Sequence, residues 1–290
     1  MKLNRMFVLA AALAAAPLMP AGSADAAGTT AAADPALVAA VQGDWRSLEA
    51  KARDQYRHPV ESLTFWGLKP GMTILEIQPG AQSWWTEILA PYAKLTGGKF
   101  YATGADLANP ELPEASRKAR ADFEARYAAK PDIYGTVNVV NWGAKSAPLP
   151  KETFDFILTA RSIHGWMGTP GMVEKTFREF HVALKPGGIL AVEQHRANPG
   201  PQDPKAASGY VTEAYVIEQA EKAGFKLDGR SEINANAKDT KDHPFGVWTL
   251  PPTLRSSAYG SGKPDDPGFD HSKYIAIGES DRMTLRFVKK

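Results

Sequence analysis

Residues 183–195 read ALKPGGILAVEQH: a helix end, a break and a buried strand in one short run. Lys185-Pro186-Gly187-Gly188 stops a helix whose apolar face carries Val173, Phe177, Phe180 and Leu184, and Thr169-Pro170 caps its start. Residues 189–193 then form a short apolar run, which fits a strand covered on both faces. Upstream the same alternation recurs. Residues 72–77, 99–105, 137–142 and 154–160 read as four further strands, and Trp84, Trp85, Ile88, Leu89 and Tyr92 form a helical stripe that Pro91 ends or kinks. Downstream, residues 212–223 read as a helix closed by Gly224, followed by strands over 225–233 and 283–288. Strands alternating with helices predict an α/β fold with a mostly parallel sheet covered on both faces.

The flanks are simpler. Asp34-Pro35 starts a helix, and Leu37, Val41, Trp45, Leu48 and Ala52 give it one apolar face. A polar segment turning at His58-Pro59 leads to a second short helix with Val60, Leu63 and Trp66. Residues 236–272 are rich in Pro, Gly, Asp and Ser. A loop of that length is expected to be a lid or binding loop, with Trp248 as its aromatic element.

The chain has 290 residues, 43% hydrophobic and 23% charged, enough for one large domain. With 34 basic and 32 acidic residues and no long block of one sign, it lacks the basic stripe that a phosphate backbone requires, so no nucleic-acid partner is expected. The absence of cysteine excludes a lipidated anchor, disulfides and a thiolate zinc site. Lys2 and Arg5, an apolar run over 6–19 and Ala24-Asp25-Ala26 read as a signal peptide cleaved after Ala26. The run is shorter than the roughly 20 residues of a membrane span, so no stable membrane anchor is expected after cleavage. The organisation read here is a signal peptide over 1–26, a linker and helix over 27–60, and a main domain over 61–290, in a periplasmic or secreted protein.

Four segments in order, LEIQPGAQ (75–82), Asp106 at the end of the second strand, PLPKETFDFIL (148–158) and ALKPGGILAVEQH (183–195), resemble the class I S-adenosylmethionine-dependent methyltransferases. RDQYRHP (53–59), FGVWTLPP (245–252) and IGESDRMTLRFVKK (277–290) resemble a narrower group of exported bacterial members. The resemblance implies a Rossmann-like seven-stranded sheet with a C-terminal antiparallel strand, S-adenosyl-L-methionine over strands one and four, and a small-molecule acceptor above strands four and five. It also implies cofactor-binding roles. Glu76 and Gly80 match the first motif, Asp106 the ribose ligand, and Asn141 and Trp142 the adenine position. The plainer alternatives are a turn cap for Asp106 and a strand end with a core indole for Asn141 and Trp142. Gln78 and Gln82 stand where the family usually has glycine.

His164 and His195 follow strands four and five, at the edge where open α/β sheets bind ligands, and are the catalytic candidates. Arg161, Trp166 and Trp248 are the substrate-binding candidates. A rival reading makes His164, His195 and Glu193 ligands of iron or zinc. Their separate strands and the lack of close His/Glu spacing argue for no metal. A second rival is a non-catalytic ligand-binding protein on this fold.

Overall fold

A computed structural model describes residues 34–290, so the expected signal peptide lies outside the described residues. In chain order the helices are α1 (Pro35–Gln42), α2 (Leu48–Ala52), α3 (Asp54–Arg57), α4 (Pro59–Trp66), α5 (Thr86–Leu95), α6 (Glu114–Ala128), α7 (Pro131–Tyr134), α8 (Ile163–Trp166), α9 (Met172–Ala183), α10 (Glu213–Lys222) and α11 (Ser272–Ile277). The strands are β1 (Thr73–Ile77), β2 (Lys99–Ala105), β3 (Val137–Trp142), β4 (Phe154–Ala160), β5 (Leu184–His195), β6 (Phe225–Ser231) and β7 (Arg282–Lys289). They form one sheet in the order β3-β2-β1-β4-β5-β7-β6, in which β7 runs antiparallel to β5 and β6. This is the Rossmann-like methyltransferase fold that the sequence predicts. The strand order reverses between β1 and β4, so the crevice at their carboxyl ends is the natural ligand site.

The central strands β1, β4 and β5 are largely apolar because neighbouring residues feed opposite cores. Ile74, Phe156, Leu158 and Ala191 join one core with α1, α4 and α5. Leu75, Ile157, Leu190 and Val192 join the other with α9 and α10. Because α4 runs from Pro59 to Trp66 and buries Leu63 and Trp66 in the first core, no structural boundary falls at residue 60.

Several elements depart from the expected ones. The apolar stripe over 37–52 is two helices, because the chain leaves α1 at Gly43, where a Cβ would lie 2.1 Å from the Trp45 ring. Ser47 caps α2, and Leu48 is exposed. Trp84 and Trp85 precede α5, and Pro91 sits inside it. The carbonyl of Glu87, deprived of its usual donor by Pro91, accepts the Trp45 indole N–H at 2.8 Å instead, so the helix continues. Strand β5 starts at Leu184 and runs to His195, held along residues 189–195 by β7. Helix α6 buries only Tyr127, and it carries no apolar stripe from which it could be read. The 236–272 stretch is anchored at its start by Asp239, which accepts from Tyr210 Oη, His243 Nε2 and the Asp281 amide. A 3-10 turn spans Gly246–Thr249.

Candidate functional site

The loop after β1 carries three left-handed residues, Gln78 (φ 49°), Gly80 (φ 71°) and Ser83 (φ 50°). That conformation costs a non-glycine residue about 1–2 kcal/mol, and hydrogen bonds offset it here. The Gln78 amide donates to Thr103 Oγ1 at 2.8 Å, and Gln78 Oε1 accepts from the Trp166 indole at 2.8 Å. Gln82 Oε1 accepts from Arg53 Nη1 at 2.5 Å. The two glutamines at glycine positions are therefore tied to protein partners. A Cβ on Gly80 would meet nothing within 4 Å, so the loop is open on that side.

Two cavities meet at this loop and share Gln78, Pro79 and Gly80 as a wall. The larger, about 560 Å³, lies over β1, β2 and β3 and is closed by α6 through Ala119, Arg120 and Phe123. Of the expected cofactor residues, Gly80 and Trp142 line it. Glu76 is buried behind the loop and accepts from Thr86 Oγ1 at 2.6 Å, pinning the start of α5. Burial pushes its carboxyl up to about 8, against which the Thr86 bond acts only partly, so it is neutral at pH 7. Asp106 follows the lining residue Ala105 and accepts from the Ala108 amide through Oδ1. The turn-cap alternative thus describes one of its oxygens. Asn141 is exposed and accepts from Arg120 Nη1. The buried Trp142 indole donates to Glu179 at 3.2 Å. Arg120 also donates to the carbonyls of Ala105 and Val139, and so crosses the ends of β2 and β3.

The smaller cavity, about 240 Å³, opens at the ends of β4 and β5. His164 and His195 both line it, with ring centroids 5.6 Å apart, because β4 and β5 are adjacent in the sheet. Arg161 and Trp248 line it as well. Trp166 does not. Its ring packs against Trp142, Phe177 and Phe180, and only its N–H reaches the loop, so it positions Gln78. Val247, Trp248, Pro251, Pro252 and Thr253 of the long loop form the roof, and Trp248 stacks on Tyr259 at 4.5 Å.

The histidine tautomer follows from Gln194. Its Oε1 accepts from the Ile163 amide and its Nε2 donates to the Gly209 carbonyl, which fixes the amide orientation. The Nε2 that also approaches His164 Nδ1 at 3.2 Å is therefore a donor, and the His164 proton sits on Nε2. Burial lowers His164 to about 4, and the charge of Arg161 reinforces the shift. Burial, His164 and the neighbouring arginines push His195 down as well. His195 Nδ1 lies 2.6 Å from Ser280 Oγ. Both rings are neutral at pH 7. With its Nδ1 met by Gln194 and its charged form disfavoured by burial, His164 has an N–H donor at Nε2 and no free basic nitrogen.

Sequence reasoning missed the charged floor beneath these rings. Glu279 accepts from Arg53 Nε at 2.6 Å and from Arg57 Nε and Arg282 Nη2 at 2.9 Å. Glu193 pairs with Arg282 at 2.6 Å and receives the Trp85 indole, which takes it out of the suggested metal set. Among the described residues no three His, Asp or Glu side chains converge as metal ligands. The signal was present in RDQYRHP and IGESDR, charged segments 222 residues apart at Arg57 and Glu279, which the antiparallel entry of β7 brings to the same sheet edge.

Residues 80–192, from this loop to β5, match the family model described as a methyltransferase domain. No curated protein matches the chain. Among solved structures, it is similar to a SAM-dependent methyltransferase from Aquifex aeolicus, with 24% identity over 63% of this chain and 87% of that one and a TM-score of 0.45. It is also similar to one from Methanosarcina mazei (13% identity, 78% and 96% covered, TM-score 0.46). A third, from Mesorhizobium loti, shows 15% identity over 79% and 96% of the two chains, with a TM-score of 0.43.

Proposed function

We propose that this chain, with its methyltransferase domain, is an S-adenosylmethionine-dependent methyltransferase that acts on a small molecule outside the cytoplasm. The observation that carries the reading is the pair of cavities sharing the Gln78-Pro79-Gly80 wall at the topological switch point. The larger has the volume of a nucleotide-sized site, within the roughly 300–1,000 Å³ of ligand pockets. Gln78 and Gln82, held by Trp166 and Arg53, leave it open. Bound there, S-adenosylmethionine supplies a methyl group on a sulfonium sulfur.

The chain's own residues then have separable tasks. Gly80 keeps the wall between donor and acceptor thin. Asp106, whose Oδ2 has no hydrogen-bond partner among the described residues, binds the ribose hydroxyls. Trp142 and Asn141 border the adenine. Arg161, His164, His195 and Trp248 orient the acceptor, since an in-line displacement depends mainly on positioning. The Val247–Thr253 roof limits access of water. Titration calorimetry with S-adenosylmethionine and S-adenosylhomocysteine tests the donor. Saturable one-to-one binding is expected, and no heat at millimolar ligand rejects it. N-terminal sequencing from fractionated cells tests export, with a periplasmic chain beginning at Ala27 expected and an intact cytoplasmic chain against it.

A second reading, a binding protein that has lost the donor, is favoured by Arg120, whose side chain crosses the β2 and β3 ends where the adenosine is expected. The same calorimetry separates the two.

A further inference from the structure

Arg161 is the residue of the smaller cavity whose chemistry is unspent. It occupies a left-handed backbone position at φ 57°, fixed by its amide donating to the Glu193 carbonyl at 2.7 Å. That strained placement, just after β4, delivers the guanidinium to the cavity wall. Its Nε is buried without a partner, and among the described residues it makes no ion pair. Its neighbours cannot neutralise it. Glu279 is shared by Arg53, Arg57 and Arg282, and Glu193 is bonded to Arg282. Four guanidiniums, Arg53, Arg57, Arg161 and Arg282, thus face two carboxylates, leaving an excess of two positive charges beneath one small cavity.

We infer that the smaller cavity takes an organic carboxylate, held by Arg161 and the His164 Nε2–H, with a small apolar body under the Trp248 roof. That this carboxylate is the methyl acceptor rests on the methyltransferase reading; the anion site stands on its own residues. A guanidinium offers two parallel N–H groups that match a planar carboxylate. Neutral His164 adds a donor because Gln194 holds its proton on Nε2. Val247, Trp248, Pro251 and Pro252 supply apolar wall for the body. At about 240 Å³ the space lies below the range that takes drug-sized ligands, so the body is small. The small volume favours a planar carboxylate over a bulkier tetrahedral phosphate ester.

The test is titration calorimetry of the full mature chain in chloride-free buffer with acetate, propionate, benzoate, benzamide and phenyl phosphate, beside a separate titration with S-adenosylhomocysteine. At least one carboxylate is expected to bind, benzoate at least tenfold tighter than its neutral isostere benzamide and tighter than phenyl phosphate. Arg161→Met is expected to abolish that preference while leaving S-adenosylhomocysteine affinity and the melting temperature near wild type. Equal affinity for benzoate and benzamide, tighter phenyl phosphate, or no carboxylate bound at millimolar concentration overturns the inference. The wild-type comparison decides alone if Arg161→Met does not fold. Loss of S-adenosylhomocysteine binding with carboxylate binding intact would count against the donor and leave the anion site in place.

Discussion

Around the larger cavity, most of the polar groups that β1, β2 and β3 deliver are bonded to the protein: Glu76 to Thr86, Trp142 to Glu179, Asn141 to Arg120 and one oxygen of Asp106 to its own turn. Around the smaller cavity, β4, β5 and the entry to β7 deliver groups with capacity to spare, namely Arg161 and the His164 Nε2–H above a floor rich in arginine. The first region is a shaped groove that offers backbone and volume. The second is an electrostatic chamber. The difference teaches that a motif at a strand end specifies a loop path, whereas recognition chemistry is assembled from distant segments that the topology brings together.

The largest effect expected of this contrast is on stability. Arg282→Met strands the buried Glu193 carboxylate, while Glu279 keeps Arg53 and Arg57, and is expected to cost about 4 kcal/mol in chemical denaturation. Arg120→Met, at the larger cavity, loses a half-exposed pair with Glu124 and a few carbonyl contacts and is expected to cost about 1 kcal/mol. Equal costs would break the comparison.

The two regions are also expected to respond to pH with opposite sign. Glu76 is raised from 4.5 to about 8 by burial, so between those values the unfolded chain binds fewer protons and stability falls as pH rises. The loss is about 4 kcal/mol between pH 5 and 8, and Glu76→Gln should remove it. His164 is lowered from 6.5 to about 4 by burial, so the unfolded chain binds more protons there and stability falls as pH falls. That loss is about 3 kcal/mol between pH 6.5 and 4, and His164→Asn should remove it. Denaturation midpoints across pH for both variants check the signs. A variant that keeps the wild-type slope overturns its assignment.

How much of this was readable in the sequence depends on what kind of signal each part leaves. The strands of the α/β core were legible because parallel strands covered on both faces are continuous apolar runs. The shared chamber of His164 and His195 was legible because each follows one of two adjacent strands. Helix α6 was not, since its exposed face carries no apolar period. Trp166 read as a substrate contact because an indole beyond β4 looks available, and only packing shows it inside the core. The Arg57–Glu279 pairing was invisible because nothing local links residues that far apart until β7 enters antiparallel.

A smaller effect sharpens the donor side. Asp106→Ala is expected to weaken S-adenosylhomocysteine binding by about 2 kcal/mol, through loss of charge-assisted hydrogen bonds to the ribose, with little change in melting temperature. Unchanged affinity by calorimetry would assign Asp106 to the turn alone.

The central claim, two chambers with one shared wall, is tested most directly by hydrogen exchange measured with and without S-adenosylhomocysteine. Protection is predicted over 78–83, 103–106 and 116–126, with residues 161–164 and 247–253 little changed until a carboxylate is added. Protection confined to 161–164 and 247–253 on adding the nucleoside, or no protection at saturating ligand, would contradict it.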